Sequence, residues 1–223
     1  KRPVFLIRQA FAGQQRNSAI LWSSDITCTW NAYKNQVPQG INACASGIPY
    51  WTSDIGGYHF HWQAPDWSAP VNRELFTRWF QFGTFSPVFR IHGKGERAIF
   101  SNNWDAPTKA ILMKYDNLRY RLLPYIYSLS WKVTNEGYTI MRSLGFDFRN
   151  DEGIKNIPDQ YMFGPAFLVN PVTERMYSLP NSKDIKKVRK VYLPKSANWY
   201  DFWTGKLIPG GQTIEAGAAI ETL

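Results

Sequence analysis

The sequence predicts an α/β fold with parallel strands, followed by an antiparallel β-sandwich domain. Two observations carry this prediction. From residue 1 to residue 137, short apolar runs alternate with segments whose apolar residues recur at helical spacing, which is typical of a parallel sheet covered by helices. From residue 138 to residue 223, short strand-like runs are separated by turns rich in Gly, Pro, Asn and Asp, the pattern of a sandwich. We therefore place a domain boundary near residue 137.

Four apolar runs in the first region predict strands, and polar side chains stand at or just after the end of each. In chain order they are residues 3–8, ending at Arg8; 19–22, leading to Asp25; 47–51, leading to Asp54; and 86–93, carrying Arg90 and His92. The carboxyl ends of parallel strands in an α/β barrel all open on one face, where side chains from different strands form the active site. We therefore expect these polar groups to converge.

Helix signals separate and follow these strands. The first predicted helix, residues 29–37, must stop or bend before Pro38, and a further short helical piece leads into Gly47. The others are a helix capped by Asn72 and residues 107–136, capped by Asp105, kinked at Pro124 and ended by Gly137. Proline inside a helix removes a hydrogen bond and clashes with the preceding turn, whereas Asn and Asp are favoured caps. In the second region the predicted strands are residues 138–148, 161–172, 188–193, 199–202 and 212–215.

Composition excludes several classes of function. The net charge of +9 comes largely from residues 183–195, where lysines would guard an edge strand, and no nucleic-acid-binding motif accompanies the charge. No apolar run is long enough for a membrane helix. Cys28 and Cys44 lack disulfide or metal spacing, and the pair His59 and His61 lacks a third ligand. We expect no nucleic acid, membrane or metal partner, and two buried free thiols.

Asp25 has two interpretations. It could cap a helix that begins near Thr27, or it could be a catalytic acid at a strand end. The neighbouring polar strand ends favour the second interpretation, and so do the aromatic side chains around them, because aromatic rings pack on the apolar faces of sugars while charged groups bind the hydroxyls. These rings are Trp22, Trp30, Trp51, Tyr58 and Trp62.

Several motifs in this order resemble the second half of the catalytic barrel of glycoside hydrolase family 31. They are Arg8-x-x-Phe-Ala-Gly-Gln-Gln-Arg16, Trp22-Ser-Ser-Asp25, Gly47-Ile-Pro-Tyr-Trp-Thr-Ser-Asp-Ile-Gly-Gly-Tyr58 and Pro87-Val-Phe-Arg-Ile-His-Gly93. The later run Trp199-Tyr-Asp-Phe-Trp-Thr-Gly205 resembles the proximal C-terminal β-domain of that family. The resemblance thus implies the C-terminal half of a (β/α)8 TIM barrel followed by a β-sandwich. Within the family, the chain looks most like an α-xylosidase, with α-glucosidase as the alternative.

The resemblance also implies roles for residues. Asp25 corresponds to the general acid/base of a retaining α-glycosidase, and the sugar-binding positions are Arg8, Trp22, Asp54, Tyr58 and His92. The implied partner is an oligosaccharide of the xyloglucan type, no cofactor is needed, and a homo-oligomeric full-length enzyme is compatible with it. The compartment stays open between periplasm, cytoplasm and the extracellular space. Ser24 replaces a usual glycine, and Asn17 a common aromatic residue.

The chain does not contain the motif of the family's nucleophile, an aspartate on an earlier barrel strand. We therefore expect a fragment of a longer enzyme that is inactive alone and whose first strand, residues 4–7, has an exposed edge. A non-catalytic carbohydrate-binding module, using the same aromatic rings, is the alternative from another class.

Overall fold

The computed structural model describes residues 3–223, and its first part is a parallel sheet with three long helices. The elements are β1 (Phe5–Ile7), β2 (Ala19–Trp22), α1 (Trp30–Ala45), β3 (Trp51–Thr52), α2 (Pro70–Thr84) and α3 (Ala106–Glu136). β2 lies between β1 and β3, and both pairings are parallel. The ends of these three strands therefore lie along one edge of the sheet, as the sequence predicts.

Helix α1 continues through Pro38, where the sequence predicted a stop or a bend. Tyr33 and Val37 are buried before the proline, and Ile41 and Cys44 are buried after it. This continuous apolar face packs into the core on both sides, which offsets the cost of about 3 kcal/mol for a proline in a helix interior.

Helix α2 begins earlier than predicted, and Asn72 does not cap it. The cap residue is Ala69, which makes no side-chain hydrogen bond, and Pro70 occupies the first turn. The fixed φ of proline suits this position. Asn72 lies inside the helix and its side-chain amide donates to the carbonyl of Asp66 at 2.8 Å.

The segment 86–93, predicted as the fourth strand, is irregular. One backbone hydrogen bond links it to β3, from the amide of Val88 to the carbonyl of Trp51 at 3.2 Å. The end of α2 and the start of this segment are bound by the buried guanidinium of Arg119 on α3. It donates to the carbonyls of Thr84 at 2.8 Å, Ser86 at 2.6 Å and Pro87 at 3.0 Å.

The predicted ends of helix α3 are confirmed. The carboxylate of Asp105 accepts from the amide of Thr108 at 2.9 Å, and Gly137 ends the helix in the left-handed conformation with φ 64°. Among the helices that the structure describes, none combines the length and the apolar character that a membrane span requires.

The second part of the chain is built from short antiparallel pairings. Its elements are β4 (Met141–Ser143), α4 (Leu144–Asp147), β5 (Tyr161–Phe163), β6 (Phe167–Val169), β7 (Val188–Leu193), β8 (Asn198–Tyr200), β9 (Leu207–Pro209) and β10 (Gln212–Gly217). Three sheets result, with strand orders β4-β5-β6, β7-β10 and β8-β9. Antiparallel pairing agrees with the predicted sandwich, although β9 and α4 were not predicted.

The two parts share one hydrophobic core. Met141, Tyr161 and Phe163 of the second part belong to the same buried cluster as Trp79 and Phe82 of α2. The hydroxyl of Tyr161 donates to the carbonyl of Phe85 at 2.9 Å. Since the cluster is continuous, the second part stabilises the helices that cover the parallel sheet.

Candidate active site

Asp25 lies on a turn that follows β2 and faces solvent. The amide of Ser23 donates to the carbonyl of Thr52 at 3.2 Å, so the chain still runs beside β3 at that point. Ser24 then takes a left-handed conformation with φ 66°, and Asp25 is exposed. Thr29 caps α1, because its hydroxyl accepts from the amide of Ala32 at 3.2 Å. The interpretation of Asp25 as a helix cap is therefore wrong.

Asp54 follows β3 and is completely buried. One of its carboxylate oxygens is ion-paired with the guanidinium of Arg90, and the other is buried without a hydrogen-bond partner among the described residues. Burial raises the pKa of Asp54 above its ordinary value of 3.8, while Arg90 and then His92 oppose the shift and Asp25 adds to it. The charges of Arg90, His92 and Asp25 thus act on the carboxylate of Asp54.

Trp22, at the end of β2, lies near two guanidinium groups. Its ring centroid is 6.0 Å from Cζ of Arg8 and 5.8 Å from Cζ of Arg90, within the range of cation–π attraction. Its indole nitrogen is buried and, within residues 3–223, has no hydrogen-bond partner.

Tyr58 and His92 are the remaining candidate residues, and their rings lie side by side. Their ring centroids are 5.6 Å apart with an angle of 33° between the planes. The amide of Tyr58 donates to the carbonyl of Ile26 at 2.7 Å, which holds the loop after β3 against the turn after Asp25. Gly57 permits this approach, since it has φ 77° and a Cβ there would lie 2.6 Å from the carbonyl oxygen of Thr27.

Arg97 ties these loops together, and sequence reasoning missed it. Its guanidinium is buried and lies 5.0 Å from the ring centroid of Trp67. It donates to the carbonyls of Ile55 at 3.3 Å, Gly57 at 2.6 Å, His92 at 3.0 Å and Lys94 at 2.6 Å. These carbonyls belong to the two loops that carry Asp54, Tyr58 and His92. An arginine in a polar stretch gives no sequence signal for such a role.

The structure therefore brings the candidate residues to one edge of the sheet. Arg8, Trp22, Asp54, Tyr58 and His92 are connected through rings and charges, with Arg90 in their midst, and Asp25 stands on the adjoining turn. What each residue does there remains a prediction.

The histidines and cysteines have other positions. Within residues 3–223, no group of three or more His, Cys, Asp or Glu side chains could hold a metal ion. Nδ1 of His59 instead accepts from the amide of Trp62 at 3.1 Å. Cys28 and Cys44 are buried free thiols, and burial raises their pKa values to about 12 and about 11.

Comparison with known proteins gives the same family over both parts of the chain. The family model described as the TIM-barrel domain of glycosyl hydrolases family 31 matches residues 1–129. The model described as the C-terminal domain of that family matches residues 137–223.

Individual relatives extend over the whole chain. An α-xylosidase of Saccharolobus solfataricus is 46% identical over 100% of this chain and 29% of its own length. Alpha-glucosidase 2 of Bacillus thermoamyloliquefaciens is 33% identical over 100% of this chain and 26% of its own length. The crystal structure of a family 31 α-xylosidase from a soil metagenome, complexed with xylose, has a TM-score of 0.87 at 36% identity and covers 99% of this chain and 33% of that one. The chain thus spans less than a third of the curated relatives.

Replacing Arg97 by Met should loosen both site loops. The substitution keeps the length of the side chain but leaves four carbonyls without their donor, and each such buried group costs about 1–3 kcal/mol. We expect the free energy of unfolding, measured with denaturant, to fall by about 3 kcal/mol or more, and the amides of Gly57, Tyr58 and Lys94 to exchange hydrogen faster. The exposed Arg121 on α3 provides the control, since Arg121→Met should change stability by less than about 0.5 kcal/mol. Unchanged exchange at the three amides would contradict the role given to Arg97.

The raised pKa of Asp54 predicts a pH dependence of stability. The folded protein keeps the proton of Asp54 to a higher pH than the unfolded chain, so this contribution to stability is present at low pH and lost as pH rises through the folded pKa. Relative to Asp54→Asn, the free energy of unfolding of the unmodified protein should therefore decrease as the pH rises above 3.8, the ordinary pKa of an aspartate. Denaturant unfolding at several pH values measures this difference, and Asp184→Asn, at an exposed site, should show no such trend. An increase with pH would mean that the attraction of Arg90 outweighs burial.

Proposed function

Because this chain belongs to glycoside hydrolase family 31, we propose that it is part of a retaining α-glycosidase. In this proposal residues 1–137 form the C-terminal half of the (β/α)8 catalytic barrel, and residues 138–223 form the β-sandwich domain that follows it. The parallel order β1-β2-β3, with polar groups at all three strand ends, supports the barrel assignment. The rest of the barrel would come from other parts of a longer protein.

The proposed substrate is an oligosaccharide of the xyloglucan type with a terminal α-linked xylose. The α-xylosidase relative that is 46% identical over the whole chain supports this choice, as does the similar structure complexed with xylose. Hydrolysis of α-linked glucose is the alternative, favoured by the α-glucosidase relative at 33% identity.

The observation that carries the catalytic proposal is the pair of carboxylates at the sheet edge with opposite environments. Asp25 is exposed and has no capping role, whereas Asp54 is fully buried and ion-paired with Arg90. A proton donor must reach the leaving oxygen of the substrate, which suits Asp25. A buried and ion-paired carboxylate is badly placed to attack a sugar, so Asp54 is assigned to substrate binding and not to the nucleophile.

In the proposed mechanism, Asp25 acts twice. A nucleophilic carboxylate, supplied by a part of the protein outside this chain, attacks the anomeric carbon while protonated Asp25 gives its proton to the glycosidic oxygen. The leaving sugar departs and a covalent glycosyl-enzyme forms. Asp25, now ionised, takes a proton from the water that hydrolyses this intermediate. Since the nucleophile lies elsewhere, the 223 residues alone should not complete the reaction.

The other side chains would bind the sugar that is cleaved. Trp22 offers an aromatic face, and Arg8 lies beside that ring as a donor for hydroxyl groups. His92 and the ring of Tyr58 are adjacent and would form one wall of the pocket. Asp54 would accept hydrogen bonds from sugar hydroxyl groups through its second carboxylate oxygen, and its ion pair with Arg90 keeps it in place.

Asp25→Asn in the full-length protein should abolish most turnover. Loss of general acid/base catalysis lowers rates by about 10²–10⁴-fold, and the loss should be smaller for substrates whose leaving group needs no protonation. Steady-state kinetics on an oligosaccharide and on an activated aryl glycoside measure both effects, with Asp184→Asn as the matched control. Sugar binding without turnover by the unmodified protein would instead support a non-catalytic carbohydrate-binding role.

Xylose and glucose specificity can be separated with matched aryl glycosides. We expect the full-length protein to have a higher kcat/KM for p-nitrophenyl α-xyloside than for the α-glucoside, by about tenfold or more, because a pocket closed around xylose leaves no room for the hydroxymethyl group. A preference for the glucoside in the same assay would replace the α-xylosidase proposal by the α-glucosidase alternative.

A further inference from the structure

The loop formed by residues 59–63 carries a large aromatic side chain that faces solvent next to the candidate active site. Trp62 is 69% exposed. We propose that the 59–63 loop is a stacking platform for the leaving-group saccharide, the sugar bonded to the one that is cleaved. This inference rests on the proposed glycosidase function and adds a binding site for the second sugar.

One face of the Trp62 ring is supported by the protein. The ring stacks on His59 with centroids 4.4 Å apart and an angle of 13° between the planes, and His59 itself is only 5% exposed. Nδ1 of His59 also accepts from the backbone amide of Trp62 at 3.1 Å. A ring fixed in this way loses little conformational entropy when a ligand stacks on its other face.

The backbone of the loop is held in an unfavourable conformation that presents this ring. His61 and Trp62 are consecutive non-glycine residues with φ 46° and φ 65°, and each left-handed residue of this kind costs free energy. Phe60 and Gln63 close the loop with mutual backbone hydrogen bonds of 3.0 and 2.9 Å. The ammonium group of Lys94 donates to the carbonyl of Trp62. The strain is thus maintained by several specific contacts, which indicates a use for the exposed ring.

The position of the platform follows from a continuous row of rings. His92 lies beside Tyr58 at 5.6 Å, Tyr58 meets His59 edge-on at 6.1 Å, and His59 stacks on Trp62. The first two residues of the row belong to the proposed pocket for the cleaved sugar. A saccharide attached to that sugar would leave the pocket along the row and meet Trp62.

The chemistry of the loop suits a neutral pyranose. A flat indole face covers the C–H groups of a sugar ring, and the neighbouring residues His61, Gln63 and Lys94 have polar side chains that can bind hydroxyl groups. Scattered exposed apolar residues need no explanation. Trp62 differs because its ring is stacked, its backbone is strained and it adjoins the candidate site.

The test compares two substrates that share the cleaved sugar in the full-length protein. One is an oligosaccharide and the other is the corresponding α-glycosyl fluoride, which has no leaving sugar. Trp62→Ala should lower kcat/KM for the oligosaccharide by about tenfold, the effect expected from losing the apolar contact of one stacked ring. The kcat/KM for the fluoride should change by less than about twofold. The variant Trp62→Phe should recover most of the kcat/KM for the oligosaccharide that Trp62→Ala loses. Trp131→Ala, at another exposed tryptophan on α3, is the matched control and should affect neither substrate.

Other results would overturn the platform. Equal losses for both substrates with a lower melting temperature would show that Trp62 packs against another part of the protein, and no loss for the oligosaccharide would show that the ring does not touch it. If the unmodified protein hydrolyses neither substrate, the proposed function fails. Calorimetric binding of the oligosaccharide to Asp25→Asn, with and without Trp62→Ala, then decides on the platform separately, since equal affinities would refute it.

Discussion

Helix α2 has no solvent-facing side between Glu74 and Thr84, because every residue in this stretch is buried. A charged side chain in such a helix must find partners within the protein. The carboxylate of Glu74 accepts from the amides of Met176, Tyr177 and Ser178 at 2.7–3.0 Å. The guanidinium of Arg78 donates to the carbonyls of Ala218, Ala219 and Thr222. Burial of α2 therefore requires the second part of the chain to fold around it.

The same helix supports the candidate site from behind. The indole N–H of Trp79 donates to the hydroxyl of Ser53 at 2.9 Å, immediately before Asp54. Gly83 approaches Ile55 so closely that a Cβ at this glycine would lie 2.5 Å from the isoleucine side chain. The loop after β3 thus rests on the core, while Arg97 and Arg119 hold the irregular segment that carries Arg90 and His92. The site residues are fixed by buried packing and buried cations, although several of them lie on loops.

The sequence predicts those features that depend on local signals. Apolar runs locate β1 to β3 and their polar ends, and Asp105 and Gly137 mark the ends of α3. Several of the failures involve tertiary contacts that override local preference. Packing carries α1 past Pro38, and Arg119 binds the carbonyls of Ser86 and Pro87 in the segment that was predicted as a fourth strand. Arg97 was missed because its partners are backbone carbonyls, which leave no pattern of side chains in the sequence.

The contacts that Glu74 and Arg78 make across the two parts have a consequence for how the chain evolves. Nearly all of their partners are main-chain amides and carbonyls, with the hydroxyl of Ser178 as an added partner of Glu74. Every amino acid except proline provides the amide, and all provide the carbonyl. The residues that meet α2 can therefore diverge without losing the attachment, whereas Glu74 and Arg78 cannot. Substitutions should accumulate faster in the loops of the second part than at Glu74 and Arg78 of α2, to which these loops are hydrogen-bonded.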